Sequence, residues 1–179
     1  MLQVIAIGFV LILKFAMPVA IVFFPFLAGW ANFVLDAIDG DILIPLGLAD
    51  ATYQPIDKIA DWATYVGMAL AAWKFRWGIR RWIYGLFIFR SIGQLIFLTT
   101  GNEQIFIYFP NFLEPLFLIY ATIFFLKKAV EPNAYNFYLK HKWAIWIFVL
   151  VYKMQDEYLT HIANVDRSDL IRSLFRGWF

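Results

Sequence analysis

The first 24 residues, MLQVIAIGFVLILKFAMPVAIVFF (1–24), contain a single charged side chain, that of Lys14. A run of about 18 or more mostly apolar residues is long enough to cross the hydrocarbon of a bilayer as a helix. No positive residues precede the run, and it is too long for the apolar region of a cleaved signal peptide, so we interpret it as a retained first span. The stretch therefore predicts an integral membrane protein.

The composition of the whole chain agrees with this interpretation. Of the 179 residues, 63% are hydrophobic and 16% are charged, whereas a soluble domain is usually about half apolar and about a quarter charged. The alternating pattern of barrel strands is absent, so the spans are predicted to be helices. The chain contains no cysteine, which excludes disulfides and thiolate metal sites. Its basic residues are scattered among aromatics, and we expect no nucleic acid partner.

Hydropathy predicts one all-α domain, a six-helix transmembrane bundle with an interfacial C-terminal helix. The sixth span is the weakest, because its apolar part, WAIWIFVLVY (143–152), is short and continues into polar residues. These include Lys153 and Glu157, which are spaced to form an i,i+4 pair. Either the polar part faces protein or a cavity, or the helix does not cross fully. The predicted spans are about 2–24, 28–47, 55–73, 82–100, 110–126 and 143–160, followed by an amphipathic tail at 165–179.

Six of the nine aspartates lie in one segment, DAIDGDILIPLGLADATYQPIDKIAD (36–61). Asp36 and Asp39 are three residues apart, and Asp57 and Asp61 are four apart, so each pair shares one face of its helix. Spans 2 and 3 are joined by a short link, so we expect antiparallel neighbours whose carboxylates meet. At membrane depth four carboxylates carry an insertion cost on the order of 10 kcal/mol unless protons, cationic side chains or metal ions offset it.

Carboxylate oxygens on rigid helices suit hard divalent ions, and two such ions would neutralise these four aspartates. Gly40 lacks a side chain directly after Asp39, which leaves room for a ligand or a neighbouring backbone. The alternative is that the aspartates cap helices or lie in solvated loops. That alternative fits Asp50 better than Asp36, which lies inside an apolar run.

Cationic side chains are the other possible partners of the aspartates. Lys58 lies between the second pair, with its side chain expected on a different face of the helix. Lys14 is expected to extend to the membrane surface or to pair with an aspartate. Arg90 lies mid-span, and an arginine at such a position is a functional candidate by default. Its structural alternative is an ion pair with Glu114 of span 5.

The aspartate spacing resembles the signature of the CDP-alcohol phosphotransferases (CDP-alcohol phosphatidyltransferases), membrane enzymes that make phospholipid head groups. The family pattern is D-x-x-D-G-x-x-A-R, eight variable residues, then G-x-x-x-D-x-x-x-D. Without a gap, its four aspartates and first glycine fall on Asp36, Asp39, Asp57, Asp61 and Gly40.

Three positions depart from the family pattern. The A-R pair falls on Leu43 and Ile44, so the arginine that would help to hold phosphate is missing. The second glycine falls on Tyr53, whose ring would crowd or reshape the substrate mouth. Arg90 is the candidate replacement for the missing arginine, and together with Gly40 it is a candidate for binding the donor.

The resemblance implies two divalent cations, Mg²⁺ or Mn²⁺ with Ca²⁺ as an alternative, held by Asp36, Asp39, Asp57 and Asp61. Asp61 would be the catalytic base that takes the proton from an alcohol, whose oxygen displaces CMP from a CDP-linked donor. The resemblance also implies a homodimer that acts on membrane lipid in phospholipid synthesis, and we expect it in the cell (plasma) membrane.

Two alternatives stay open beside this enzyme. One is a catalytically silent relative that keeps the metal for structure, and the other is a divalent-cation carrier. The membrane orientation is open as well. The basic residues at 74–81 and 127–142 favour a cytoplasmic position for the side of the membrane opposite the aspartates. The resemblance requires the reverse, because CDP-linked donors are cytoplasmic and the aspartates would have to face them.

Overall fold

The computed structural model describes residues 2–102 and 104–161, which form helices joined by short turns and contain no strand. The all-α class is therefore confirmed for this part of the chain. The predicted tail helix at 165–179 lies outside it. In chain order the helices are α1 (Leu2–Phe23), α2 (Pro25–Leu43), α3 (Asp50–Lys74), α4 (Arg80–Thr100), α5 (Ile105–Tyr108), α6 (Leu113–Leu126) and α7 (Glu131–His161).

Local sequence explains several of the helix boundaries. α2 begins at Pro25, where the missing N–H of proline costs no helical hydrogen bond. α4 is followed by Gly101, whose φ of 66° lies in the left-handed region that glycine adopts without a steric penalty. α3 begins at Asp50, earlier than the predicted start at residue 55, so Pro55 lies inside its first turns.

The last two long helices differ from the predicted spans. α7 runs for 31 residues without a break, so it includes the Tyr- and Lys-rich stretch before the predicted span at 143–160. α6 has 14 residues, fewer than the roughly 20 that cross a bilayer. The predicted spans and the observed helices differ in length because hydropathy measures only how apolar the side chains are. A helix extends as far as its backbone hydrogen bonds do.

Contacts along the helices define their directions. α1 packs mainly against α2 and α3. Three contacts occur in the same order along α1 and along α3, so these two helices run parallel. α2, which lies between them in the chain, runs in the opposite direction. The three contacts are Lys14 with Asp57, Pro18 with Gly67, and Phe23 with Lys74.

The buried core lies around the turn between α3 and α4. Trp77 has none of its surface exposed, and its ring contacts Phe117 and Tyr120 of α6 at centroid distances of 5.1 and 4.9 Å. Glu131, the first residue of α7, accepts hydrogen bonds from the Tyr120 hydroxyl at 2.7 Å and from the backbone N–H of Gly78. Burial raises the pKa of the Glu131 carboxyl. These ring contacts and hydrogen bonds therefore join the turn between α3 and α4 to α6 and to the start of α7.

Large apolar side chains cover the outer surfaces of several helices. α1 and α4 are the two described helices that are long and apolar enough to cross a membrane. Only 22% and 28% of their most apolar windows are buried, so most of their apolar side chains are at least partly exposed. On α1, for example, Phe9 and Ile12 are 61% and 69% exposed. An apolar surface of this kind indicates a membrane or protein partner, and the six-span arrangement stays a prediction.

Candidate metal centre

Three of the predicted ligands converge beside α1. Asp36 and Asp39 on α2 and Asp57 on α3 each place one carboxylate oxygen within 4.8 Å of the other two. Asp39 is fully buried, Asp57 is 7% exposed and Asp36 is partly exposed. Since oxygen ligands lie about 2.0–2.6 Å from Mg²⁺ or Ca²⁺, the three groups are close enough to bind one metal ion.

The ammonium group of Lys14 lies among the same three carboxylates. It donates to Asp36 at 3.1 Å and also to Asp39 and Asp57. The lysine is 3% exposed although α1 is mostly uncovered. Of the two expectations for Lys14, pairing with an aspartate is the one that the structure shows. The partner set is larger than expected, because one ammonium joins carboxylates from two helices.

Lys58 connects Asp57 with the fourth predicted ligand, Asp61. Its Nζ lies 2.7 Å from Oδ2 of Asp57 and 3.4 Å from Oδ2 of Asp61. The expectation that Lys58 points to a different face is wrong, because its long flexible side chain bends back along the helix to the carboxylates. Asp61 is thus linked to the other aspartates through Lys58.

Tyr53 closes the cluster on the side of Asp39 and Asp57. Its hydroxyl donates to Oδ1 of Asp39 at 2.8 Å and lies 3.4 Å from Oδ1 of Asp57. A Cβ atom at Gly40 would lie 3.1 Å from that hydroxyl, so the glycine leaves room for the tyrosine. The sequence identified Tyr53 as a bulky departure from the family pattern, but its role as a hydrogen-bond donor depends on the approach of α2 to α3.

The charges of the cluster do not cancel when all its groups are ionised. Four carboxylates contribute four negative charges and two ammonium groups contribute two positive charges, which leaves a net charge of minus two. Buried charge is costly unless it is paired. Two added protons or a single dication would balance this charge. The groups counted are Asp36, Asp39, Asp57, Asp61, Lys14 and Lys58.

Arg90 belongs to a second buried network, which joins α4 to α7. Its Nη1 donates to the backbone carbonyl of Phe109 at 2.6 Å and lies 3.6 Å from Glu157. The sequence offered Glu114 as the partner, whereas the structure pairs Arg90 with Glu157. Asn111 extends the network, because its backbone N–H donates to Glu157 at 3.0 Å and its amide donates to Glu114 at 3.3 Å.

The ring of Phe106 lies beside both networks. Its centroid is 4.2 Å from Cζ of Arg90 and 5.8 Å from Nζ of Lys58. Gln94, one turn beyond Arg90 on α4, donates to the backbone carbonyl of Lys58 at 3.3 Å. The structure therefore places Arg90 next to the aspartate cluster but in the network of Glu157.

Two acidic side chains in the polar half of α7 are buried. Asp156 and Glu157 are 7% and 2% exposed. Lys153 pairs with Asp156 and lies 3.7 Å from Glu157, which confirms the i,i+4 pair. Asp156 and Glu157 thus face protein, whereas Gln155 beside them is exposed, and whether the sixth predicted span crosses a bilayer fully stays a prediction.

The structure brings most of the predicted site together. Asp36, Asp39 and Asp57 share one cluster, Asp61 joins it through Lys58, and Gly40 lies against Tyr53. Lys14 is the participant whose role the spacing of residues 36–61 did not reveal. No protein-family model, curated protein or solved structure matches the chain.

Proposed function

We propose that the chain is a divalent-metal-dependent membrane phosphotransferase. It moves a phosphatidyl or substituted phosphoryl group from a CDP-linked donor to an alcohol and releases CMP. The observation that carries the proposal is the convergence of Asp36, Asp39 and Asp57 within 4.8 Å, in the segment that resembles the CDP-alcohol phosphotransferase signature. Spacing along one helix puts two aspartates on one face, but it does not by itself make a second helix present a third to them.

The chemistry follows from the placement of the four aspartates. A bound Mg²⁺ or Mn²⁺ would supply positive charge to the pyrophosphate of the donor. Asp61, held at 3.4 Å by Lys58, would accept the proton of the alcohol. The alcohol oxygen then forms a bond to the phosphorus, and the bond from that phosphorus to the oxygen of CMP breaks.

The outer surface of the bundle suits a lipid substrate. The outward apolar side chains of α1 would keep the acyl chains of a donor in the bilayer while its head group reaches the aspartates. Arg90 is paired with Glu157 and could bind a donor only after that pair separates. We therefore propose a secondary role for Arg90 in donor binding. Location in the plasma membrane, six spans and a homodimer belong to the same proposal.

The test is release of CMP by the purified protein in lipid nanodiscs. CDP-linked lipids are supplied with a panel of alcohols and with Mg²⁺ or Mn²⁺. Asp61→Asn is expected to abolish release while thermal stability and helix content stay near those of the wild type. Asp41→Asn, on α2 but outside the signature positions, is the matched control and should keep activity. No CMP above background across the panel would contradict the proposal.

A second candidate is the catalytically silent relative that keeps the metal for structure. The contacts of Lys14 with three carboxylates favour it, because a lysine can hold them together without turnover. The absence of the family arginine at Ile44 points the same way. Binding of Mn²⁺ without CMP release from any donor would support this candidate.

A further inference from the structure

Basic side chains are exposed at the end of the bundle opposite the aspartates. This end contains the turn between α3 and α4, the turn between α6 and α7, and the first half of α7. Trp77 joins the two turns, because its ring packs against those of Tyr120 and Phe124 near the end of α6. We call this surface the basic end, and its exposed cations are Lys74, Arg76, Arg80, Arg81, Lys128, Lys140 and Lys142.

The basic end has little negative charge to balance it. Residues 62–102 and 115–155 contain one acidic residue, Glu131. Its Oε1 already accepts hydrogen bonds from the Tyr120 hydroxyl and the backbone N–H of Gly78. Within the described ranges, none of the cations of the basic end forms an ion pair with a carboxylate. Uncompensated positive charge of this kind attracts an anionic partner.

Two of these cations lie at backbone positions that favour glycine. Arg76 and Lys128 have φ angles of 52° and 56°, in the left-handed region where a residue with a Cβ atom is strained. Each lies in a turn that closes a helix C-terminus in the same way. The N–H of the next residue, Trp77 or Ala129, donates to the carbonyl five residues before it, at 3.0 and 2.9 Å.

The chain uses glycine in the equivalent turn at the other end of the bundle. After α2, Gly47 has a φ of 105°, and the N–H of Leu48 donates to the carbonyl of Leu43 at 3.1 Å. A cation also stabilises the C-terminal end of a helix dipole, but that effect would apply equally to the turn after α2, where glycine is present. Strained backbone positions cluster at functional sites, so we infer that the charges of Arg76 and Lys128 have a use at the basic end.

Exposed tryptophans and apolar helices border the basic end. Trp73, Trp82 and Trp143 are exposed, and tryptophan is enriched where a bilayer meets water. The exposed apolar side chains of α1 and α4 reach this end, since α4 begins there and α1 ends there at Phe23, whose ring centroid lies 3.7 Å from Nζ of Lys74. The surface therefore changes from apolar to aromatic to basic, in the order in which a bilayer presents acyl chains, interface and head groups.

We propose that the basic end binds the phosphate groups of anionic phospholipids, with Arg76 and Lys128 as its main contacts. A guanidinium donates parallel hydrogen bonds to a phosphate, and an ammonium adds a point charge. A soluble phosphate compound offers the same head-group chemistry but lacks the acyl chains that the neighbouring apolar helices would contact. The inference goes beyond the proposed phosphotransferase and does not depend on it, because no residue of the aspartate cluster takes part.

The test measures the preference of the full chain for anionic over zwitterionic lipid. The protein is reconstituted in phosphatidylcholine vesicles that contain either brominated phosphatidylglycerol or brominated phosphatidylcholine, and bromine quenches the fluorescence of the tryptophans that it contacts. We expect stronger quenching of the wild type by the anionic lipid. Arg76→Gly combined with Lys128→Gly should lower the preference, expressed as a ratio of association constants, about fivefold for each charge removed.

Ala129→Gly is the matched control for this double variant. Ala129 is exposed and has a left-handed φ of 57°, so glycine relieves strain there without removing a charge, and the lipid preference should stay that of the wild type. Arg76→Lys combined with Lys128→Arg keeps both charges and should also keep the preference. The glycine double variant should keep or raise the unfolding temperature in neutral detergent, because glycine adopts the left-handed region without a steric penalty.

The outcomes distinguish a lipid site from its alternatives. Equal quenching of the wild type by the two brominated lipids would overturn the proposal. So would an unchanged preference in the glycine double variant, and a lower unfolding temperature beside it would assign Arg76 and Lys128 to helix capping alone. Loss of the preference on addition of millimolar inorganic phosphate would identify a site for soluble anions instead. Failure of CMP release in the same vesicles would contradict the phosphotransferase and leave the lipid site standing.

Discussion

The hydroxyl of Tyr53 donates a 2.8 Å hydrogen bond to Asp39, a carboxylate with none of its surface exposed. A hydrogen bond to a charged group contributes about 1.5–3 kcal/mol to stability. Tyr53→Phe should lower the free energy of unfolding by that amount, measured by denaturant titration in mixed micelles. Tyr108→Phe, at a tyrosine that is 73% exposed, is the control. Equal losses in both variants would argue against the bond to Asp39.

The crossing of α1 and α3 predicts a strong effect of a single methyl group. Gly67→Ala would place a Cβ on the backbone carbonyl of Pro18, and overpacking of this kind costs about 1–3 kcal/mol. Gly85→Ala is the matched control, because nothing lies within 4 Å of a Cβ there. It should be neutral or stabilising by up to about 1 kcal/mol through helix propensity. Thermal unfolding of both variants in the same detergent compares them, and a neutral Gly67→Ala would show that the helices cross elsewhere.

The ion pair of Arg90 with Glu157 predicts coupled effects on stability. Arg90→Met leaves Glu157 with Lys153 at 3.7 Å as an ionic partner, so we expect a loss near the lower end of the roughly 3–5 kcal/mol typical of a broken buried pair. Arg90→Met combined with Glu157→Leu should cost less than the sum of the single changes, which a double-mutant cycle measures.

The same variants decide where Arg90 acts. Because Arg90 lies in the network of Glu157, Arg90→Met should leave the number of bound Mn²⁺ ions unchanged. Arg81→Met, at an exposed arginine on the first turn of α4, should change neither stability nor ion binding. Strict additivity of the two changes at Arg90 and Glu157 would show that the pair contributes nothing.

The order of the helices predicts opposite membrane sides for two exposed positions. Ala49 precedes α3 and Asn133 lies on the first turn of α7, with three predicted spans between them. The chain has no cysteine, so Ala49→Cys and Asn133→Cys each introduce a single thiol. In sealed vesicles an impermeant maleimide should label one variant and spare the other until detergent is added. Labelling of both from the same side would contradict the span count, and the side of Ala49 reports the orientation of the aspartates.

The helical fold and the pairing of aspartates on each helix could be predicted from the sequence. Both depend on near neighbours along the chain, because backbone hydrogen bonds and the 3.6-residue period link residues three or four apart. Asp36 with Asp39, and Lys153 with Glu157, are of this kind. Helix lengths were less predictable, since α7 continues through polar residues that hydropathy separates from its apolar part.

The partners of side chains that lie far apart in the chain could not be predicted in this way. The sequence named Lys14 and Arg90 as cations that need partners, but it offered Glu114 for Arg90, and it could not choose the three carboxylates for Lys14. Each choice depends on which faces of two helices meet. That depends on the sum of many contacts, such as the approach of Pro18 to Gly67.

The sequence by itself determined that the chain is helical, that apolar side chains dominate it, and that four aspartates are spaced to share helix faces. Only the tertiary structure decided that a lysine from α1 and the hydroxyl of Tyr53 complete their surroundings. The physical reason is that local periodicity sets which side chains share a face, whereas the crossing of helices sets which side chain of another helix meets them.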